Sequence, residues 1–311
     1  MSIKQLWVES YRPTTVDEYV FTDSSVRELV EHWIKEGSIP NVLLYGPAGT
    51  GKTTLAKILI RGVGVEDIDV MYVNGSKEGR KIDWLREKLE SFCATMPFGK
   101  FKIVLIDEAD YLNKDSVQPA MRNLMEDYSD SVRFIMTCNY HHKIIPPLKS
   151  RCTELEISKS DETEFTARAA TVLMNENVEF DLELLDTFVK ATYPDMRKCL
   201  NLLQSNSITG RLEPARVGSS STADFRIEVV ELFKRREYRK ARELICRSLE
   251  PEEMEDFYRW SYDNLSLWSN TMEGQDEAIL IIRRGLVNHV SCADAEINLS
   301  ATITELIGIN Q

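Results

Sequence analysis

The stretch Asn41-Val-Leu-Leu-Tyr45-Gly46-Pro47-Ala48-Gly49-Thr50-Gly51-Lys52-Thr53-Thr54 decides the fold. A short apolar run ends at a glycine, and the residues after Lys52 read as a helix over 53–61. Between the two, glycines let backbone N–H groups curl around phosphate oxygens, and the start of the following helix adds positive potential. The residues match a complete phosphate-binding loop, set between strand and helix as that motif requires. Gly46 to Thr54 are therefore the candidate contacts for the phosphates of ATP. Lys52 would reach the outer phosphates, and the Thr53 hydroxyl would serve Mg²⁺. A glycine-rich turn that only joins a strand to a helix is the competing reading.

Working outward, short apolar runs at 41–45, 70–73, 102–106, 132–137 and 153–157 alternate with amphipathic stretches at 25–35, 53–61, 82–93 and 116–128 and a short turn ending at Pro147. Strands alternating with helices predict an α/β module with a mostly parallel sheet over residues 1–157. The run 103–106 ends in Asp107-Glu108-Ala-Asp110. An acid at such a strand tip suits a hydrated Mg²⁺ (Asp107), and its neighbour suits orientation and deprotonation of an attacking water (Glu108). Acids after a strand are often plain solvated ends, but a phosphate loop upstream gives this pair a task. The letters Asp-Glu-Ala-Asp also spell an RNA-helicase signature, yet that family's Ser-Ala-Thr and His-Arg-Ile-Gly-Arg motifs and its second strand–helix domain are missing.

After residue 157 every segment reads as helix. Residues 158–210 hold three, including 181–191 and 195–206. The stretch 211–223, with Gly, Pro and a serine run nearby, predicts a linker. Residues 224–311 predict an all-helical module.

Composition fits a globular chain of 311 residues with 43% hydrophobic and 28% charged side chains. The net charge of −12 argues against blanket polyanion binding but leaves room for a local basic patch. Residues 1–156 carry 20 basic and 23 acidic side chains, a net −3, so −9 falls in the remainder. Six scattered cysteines without a Cys-x-x-Cys pair support neither a zinc site nor a disulfide framework and suggest a reducing cytoplasm. No apolar run is long enough to span a membrane.

Three further segments carry a resemblance. Leu112-Asn-Lys-Asp-Ser-Val-Gln118-Pro-Ala-Met-Arg122-Asn-Leu-Met-Glu126, Val132-Arg-Phe-Ile-Met-Thr-Cys-Asn139 and Lys143-Ile-Ile-Pro-Pro-Leu-Lys-Ser150-Arg151-Cys152 resemble the AAA+ ATPase subunits of sliding-clamp loaders. Ser150-Arg151-Cys152 is the most diagnostic piece. The opening Trp7-Val-Glu-Ser-Tyr11-Arg12-Pro13 is similar to that family's nucleotide-contacting segment, which would make Tyr11 and Arg12 nucleotide contacts. Val73-Asn-Gly-Ser76 with Lys81-Ile-Asp83 leans toward a T-even-type bacteriophage large subunit, which would place the protein in the cytoplasm of a bacterial host. The helix 117–126 leans toward cellular replication-factor small subunits, so a cellular or archaeal small subunit is the near alternative.

The resemblance implies a strand–helix ATPase, a helical lid and a helical collar that builds a ring, expected to be pentameric, from copies of this chain and a companion subunit. It implies that Asn139 and Arg197 sense the γ-phosphate and that Arg151 is a finger acting on a neighbour's ATP. It also implies that Gln118 and Arg122 relay binding of primer–template DNA to Glu108. Each has a rival reading: a turn residue for Asn139, pairing with Glu154 or Glu156 for Arg151. Where the family has Gly-Asp before the lid arginine, this chain has Pro194-Asp195, and where it has a second arginine, this chain has Asn123. Pro119 requires the helix to begin near Asp115.

Lys77, Arg80, Lys81 and Lys114 are candidate DNA-backbone contacts, with ordinary solvated surface as the alternative. Phe92, Met96 and Phe98 form an apolar tip, either a foot on the sliding clamp or a core turn. A helicase or branch-migration motor with the same core is the rival function, and a loader-like scaffold that binds ATP without cleaving it is another.

Overall fold

The structure is a computed structural model, and it describes residues 6–78, 82–214, 224–249, 253–269 and 271–309. The described residues divide into two compact units, one within 11–161 and one that joins residues 6–10 to those within 162–309.

In the first unit five strands form one parallel sheet: β1 (Val42–Tyr45), β2 (Val70–Asn74), β3 (Lys102–Asp107), β4 (Val132–Cys138) and β5 (Thr153–Glu156), in the order β2-β3-β4-β1-β5. All five fall where the sequence predicts them. Val42 lies opposite Ile135 on one side and Thr153 on the other. The inner strands β1, β3 and β4 read as largely apolar runs because both faces of the sheet are covered there, whereas β5, at the edge, alternates buried Leu155 with exposed Glu154 and Glu156. Leu43, Val104, Ile106, Phe134 and Met136 point to one face, and Val42, Leu44, Ile103, Leu105 and Ile135 to the other, so the period of two sorts each strand between two cores.

The helices of this unit are α2 (Ser24–Glu36), α3 (Lys52–Gly62), the short α4 (Gly75–Glu78), α5 (Ile82–Ala94), α6 (Val117–Asp127) and the short α7 (Pro146–Lys149); α1 (Trp7–Ser10) belongs to the other unit. Leu55 and Leu59 of α3 close one face, and Leu89 of α5 with Met121 and Met125 of α6 close the other. Helix α6 begins at Val117, so Pro119 sits in its first turn, where no intrahelical N–H is lost.

The second unit is helical: α1, α8 (Glu162–Asn175), α9 (Leu182–Thr192), α10 (Met196–Ser205), α11 (Asp224–Lys234), α12 (Tyr238–Ser248), α13 (Met254–Asp263), α14 (Met272–Ser291) and α15 (Ala295–Gly308). Asp195 caps α10 by accepting from the N–H groups of Arg197 and Lys198, so the Pro194-Asp195 departure keeps the cap. The N–H of Trp7 donates to Gln204 Oε1 at 3.1 Å, which ties α1 to α10. The start of the expected linker is ordered: Leu212 is buried and its N–H donates to Glu179 O at 2.8 Å, while 215–223 lie outside the described residues. Lys234 of α11 pairs with Asp186 of α9 at 2.8 Å and donates to Glu183 O and Thr187 Oγ1. Among the described residues no helix is long and apolar enough to cross a membrane.

Candidate active site

Parallel strands leave all their carboxyl ends on one edge of the sheet, and the candidate residues collect there. The phosphate loop follows β1, Glu108 follows β3, and Asn139 follows β4, the strand that separates them. A side chain at Gly46 is excluded, since a Cβ there would lie 2.2 Å from Ile157 O.

Lys52 is buried, and its ammonium donates to Gly46 O at 3.0 Å and Pro47 O at 2.6 Å, inside the loop that would receive the phosphates. Burial pulls its pKa below the ordinary lysine value, against the opposing pull of the nearby Cys138, Asp107 and Asp110. Thr53 Oγ1 donates to Asp107 Oδ1 at 2.8 Å. Two hard oxygens from different elements thus converge at the mouth of the loop, a donor set that fits Mg²⁺.

Glu108 sits in the left-handed region (φ 57°, ψ 45°). Its N–H donates to Thr137 Oγ1 at 3.1 Å, and the same hydroxyl makes a short bond to Asp107 Oδ1. Thr137 therefore joins the two carboxylate residues from the neighbouring strand. Sequence reasoning missed it because it is one more β-branched residue inside a buried strand. On the other side, Gly75 abuts this turn so closely that a Cβ would fall 2.3 Å from Glu108 O. Tyr19 was also missed: its hydroxyl donates to Thr50 O at 3.3 Å, its ring lies against Gly51, and burial pushes its phenol well up. Asp110 lies buried behind the same turn, with neither carboxylate oxygen hydrogen-bonded.

Tyr11, Arg12 and Asn139 are half-buried in this unit. Gln118 is fully buried. Its amide donates to Leu112 O and Lys143 O at 3.1 Å each and accepts from Ile145 N at 2.9 Å, locking the turn after β3 to the loop after β4. Arg122, one turn on, is half-buried and donates to Asn123 Oδ1. Arg151 carries a short ion pair with Glu126 of α6 and donates to Pro147 O at 2.7 Å. The expected rivals Glu154 and Glu156 are not its partners; Glu154 instead pairs with His141. Asn41 Nδ2 reaches Arg151 O at 3.4 Å, while its Oδ1 accepts from Phe134 N. Arg197 is exposed on α10 in the other compact unit.

Lys77, on the short α4 rather than in a loop, and Lys114 are exposed and follow the adjacent strands β2 and β3, so both segments leave the same edge of the sheet. Arg80 and Lys81 lie outside the described residues. The apolar tip needs one correction. Phe92 packs against the core beneath the tip with Lys102 over its ring, whereas Met96 and Phe98 are 89% and 78% exposed. The last turn of an amphipathic helix faces inward at position 92, and the proline turn releases only 96 and 98.

Residues 42–160 match the ATPase family associated with various cellular activities (AAA). Among solved structures, a mutant of the RuvB protein of Thermotoga maritima is similar at TM-score 0.55 over 65% of this chain and 69% of that one; at 20% identity this shows the shared fold alone. Sequence similarity reaches further. The replication factor C small subunit of Sulfurisphaera tokodaii is 36% identical over 78% of this chain and 76% of its own. Those of Pyrobaculum islandicum (small subunit 1; 36%, covering 76% and 74%) and Aeropyrum pernix (37%, covering 76% and 71%) are similar to the same degree. These relatives are archaeal, so the lean toward a bacteriophage subunit finds no support in them, and the small-subunit alternative does. With identity of this order over about three quarters of the chain and of each relative, the chain belongs to the replication factor C small-subunit family and is a clamp-loader ATPase.

Proposed function

We propose that this chain hydrolyses ATP at a junction between subunits of a clamp-loading ring, and that primer–template DNA triggers the step that releases a sliding clamp. One observation carries the reading: at the mouth of the phosphate loop Asp107 accepts from Thr53 and from Thr137, and Thr137 in turn accepts from the Glu108 N–H. Lys52, drawn from its two carbonyls, would neutralise the outer phosphates, and loop N–H groups would hold the others. Thr53 and Asp107 would hold Mg²⁺, which supplies charge neutralisation of the phosphates. Glu108 would take the proton of the attacking water, with Asn139 orienting that water and Tyr11, Arg12 and Arg197 contacting the nucleotide.

Arg151 fits the in-trans role because it lies on α7's exit, held by Glu126 and one carbonyl; exchange of Glu126 for a neighbour's phosphate would complete that neighbour's site. Lys77 and Lys114 would track DNA phosphates without reading sequence, joined by Arg80 and Lys81. Gln118 is suited to relay contact on the Lys114 side because its three hydrogen bonds tie the turn after β3 to the loop after β4. Met96 and Phe98 would seat in an apolar cleft of the clamp. The division of labour that follows is ATPase module, lid over 158–210 and collar from 224, with companion subunits completing a pentamer.

The test is the ATPase rate of the assembled loader with neither ligand, with primed DNA, with clamp, and with both. The expected result is a multiplicative rise with both and no strand displacement. Unwinding of a duplex, or hydrolysis indifferent to the clamp, would refute the reading.

A further inference from the structure

Two charged side chains buried in the ATPase unit have no part in the chemistry above, and both are committed to the same short segment. Asp69, fully buried before β2, accepts from Phe98 N at 3.1 Å through Oδ1 and from Gly99 N at 2.7 Å through Oδ2. Lys102, 3% exposed at the start of β3, donates to Phe92 O at 3.0 Å and to Thr95 Oγ1, with its ammonium 4.7 Å from the Phe92 ring centroid. Thr95 Oγ1 closes the triangle by donating to Phe92 O at 2.9 Å. Residues 95–99 are thus bound at both ends, and between the bonds stand Met96 and Phe98.

Stability alone does not account for this arrangement. Removing a carboxylate and an ammonium from water costs several kcal/mol each, and packed apolar residues in their place are often neutral or better. The groups they satisfy are the last turn of α5, the Thr95 hydroxyl and two N–H groups of the turn that follows, all near the surface, where water could satisfy them as well. Buried charge gains most where it fixes one conformation, and a fixed conformation lowers the ordering cost of binding.

We propose that Asp69 and Lys102 are positioning residues that hold Met96 and Phe98 in the geometry that enters an apolar cleft on the sliding clamp. Neither touches the clamp; each acts through the backbone of the tip. The inference rests on the reading of that tip as the clamp foot, and the experiment separates the two.

In the assembled loader, clamp is titrated into the DNA-stimulated ATPase assay, giving the half-saturating clamp concentration and the rate at saturation. Met96→Ala/Phe98→Ala is expected to raise half-saturation by about tenfold or more, as for loss of an apolar anchor. Asp69→Asn and Lys102→Met are expected to raise it about fivefold while the saturated rate and the rate without clamp stay unchanged. Thr95→Ala, at an exposed residue, removes the hydroxyl that accepts from Lys102 and leaves both buried charges in place, so it tests the Lys102 side alone; a smaller rise in the same direction is expected. In the Met96→Ala/Phe98→Ala background, Asp69→Asn should add nothing. If the tip variant binds clamp normally, the foot reading falls and this inference with it. Should the tip variant lose clamp while Asp69→Asn, Lys102→Met and Thr95→Ala do not, the inference alone is overturned. Further loss from Asp69→Asn in the tipless background would likewise overturn it, because the residue would then act elsewhere.

Discussion

Replacing Thr137 by valine keeps the volume and shape of a side chain that is 2% exposed and removes only its hydroxyl. Two bonds go with it: the acceptor for Glu108 N–H at 3.1 Å, and the link to Asp107 Oδ1, which keeps Thr53 at 2.8 Å. Holding a non-glycine residue in the left-handed region costs roughly 1–2 kcal/mol. One net hydrogen bond to the Glu108 N–H is worth about 1 kcal/mol, and stranding that donor costs about 1–3 kcal/mol. The restraint and the strain are thus comparable, and losing the restraint tips Glu108 away from its observed geometry. A shift of about 1.4–2.8 kcal/mol lowers the competent population ten- to a hundredfold, and kcat with it. ATP affinity should change little, because Lys52 and the loop N–H groups are untouched. Single-turnover hydrolysis by the loader with clamp and primed DNA measures the first quantity, and titration with a fluorescent ATP analogue the second. Thr137→Ser, which restores the hydroxyl, should recover most of the rate. A folded Thr137→Val protein that hydrolyses ATP at the wild-type DNA-stimulated rate would refute the coupling of Glu108 to β4.

Arg151→Ala should lower DNA-stimulated turnover on the order of a thousandfold while ATP binding stays within about twofold; an equal loss of binding would count against action in trans. Lys77→Glu should weaken DNA stimulation and reduce the slope of DNA affinity against salt, both read from anisotropy titrations. Burial pushes the Asp186 carboxyl up, but Lys234 and Lys190 more than offset this and hold it below the ordinary carboxylate value. Its contribution is therefore present in full above the unfolded-state pKa and is lost as pH falls through that value toward the folded one. Asp186→Asn should lower stability near neutral pH by about 1 kcal/mol or less, since the pair is partly solvated. In melting curves, the gap to wild type should close on acidification; a gap that stays constant would show that the ion pair contributes nothing.

The sheet was legible because strand, loop and helix each obey a different rule, and at Gly46 to Thr54 the three rules agree. Partners across the fold were not legible. Arg151 pairs with Glu126, 25 positions earlier in the chain, because α6 and α7 meet on one face of the sheet, and nothing in the local spacing of Ser150-Arg151-Cys152 encodes that meeting. Gln118 illustrates the middle case. Its place one turn before Arg122 marked it as important, yet only the packed structure shows it buried and bonded to two loops rather than presented to DNA. Phe92, Met96 and Phe98 read alike as a clamp foot or a core turn, and the structure divides them, with Phe92 packed on the core, because helical periodicity does not say where the last inward-facing turn ends.

The strand order also bears on how the chain is made. β1, which delivers the phosphate loop, lies between β4 and β5 in the sheet, and its register partners there begin at Ile135 and Thr153. During synthesis from the N-terminus, β2 and β3 can pair early, whereas β1 waits for β4, whose register partners stand 93 positions further along the chain (Val42 with Ile135). Nucleotide therefore cannot assist the early stages of folding; it can reward only a sheet that is already complete. Until so distant a pairing closes, the apolar segment 42–45 has no strand partner on the nascent chain and gains from shielding at the ribosome.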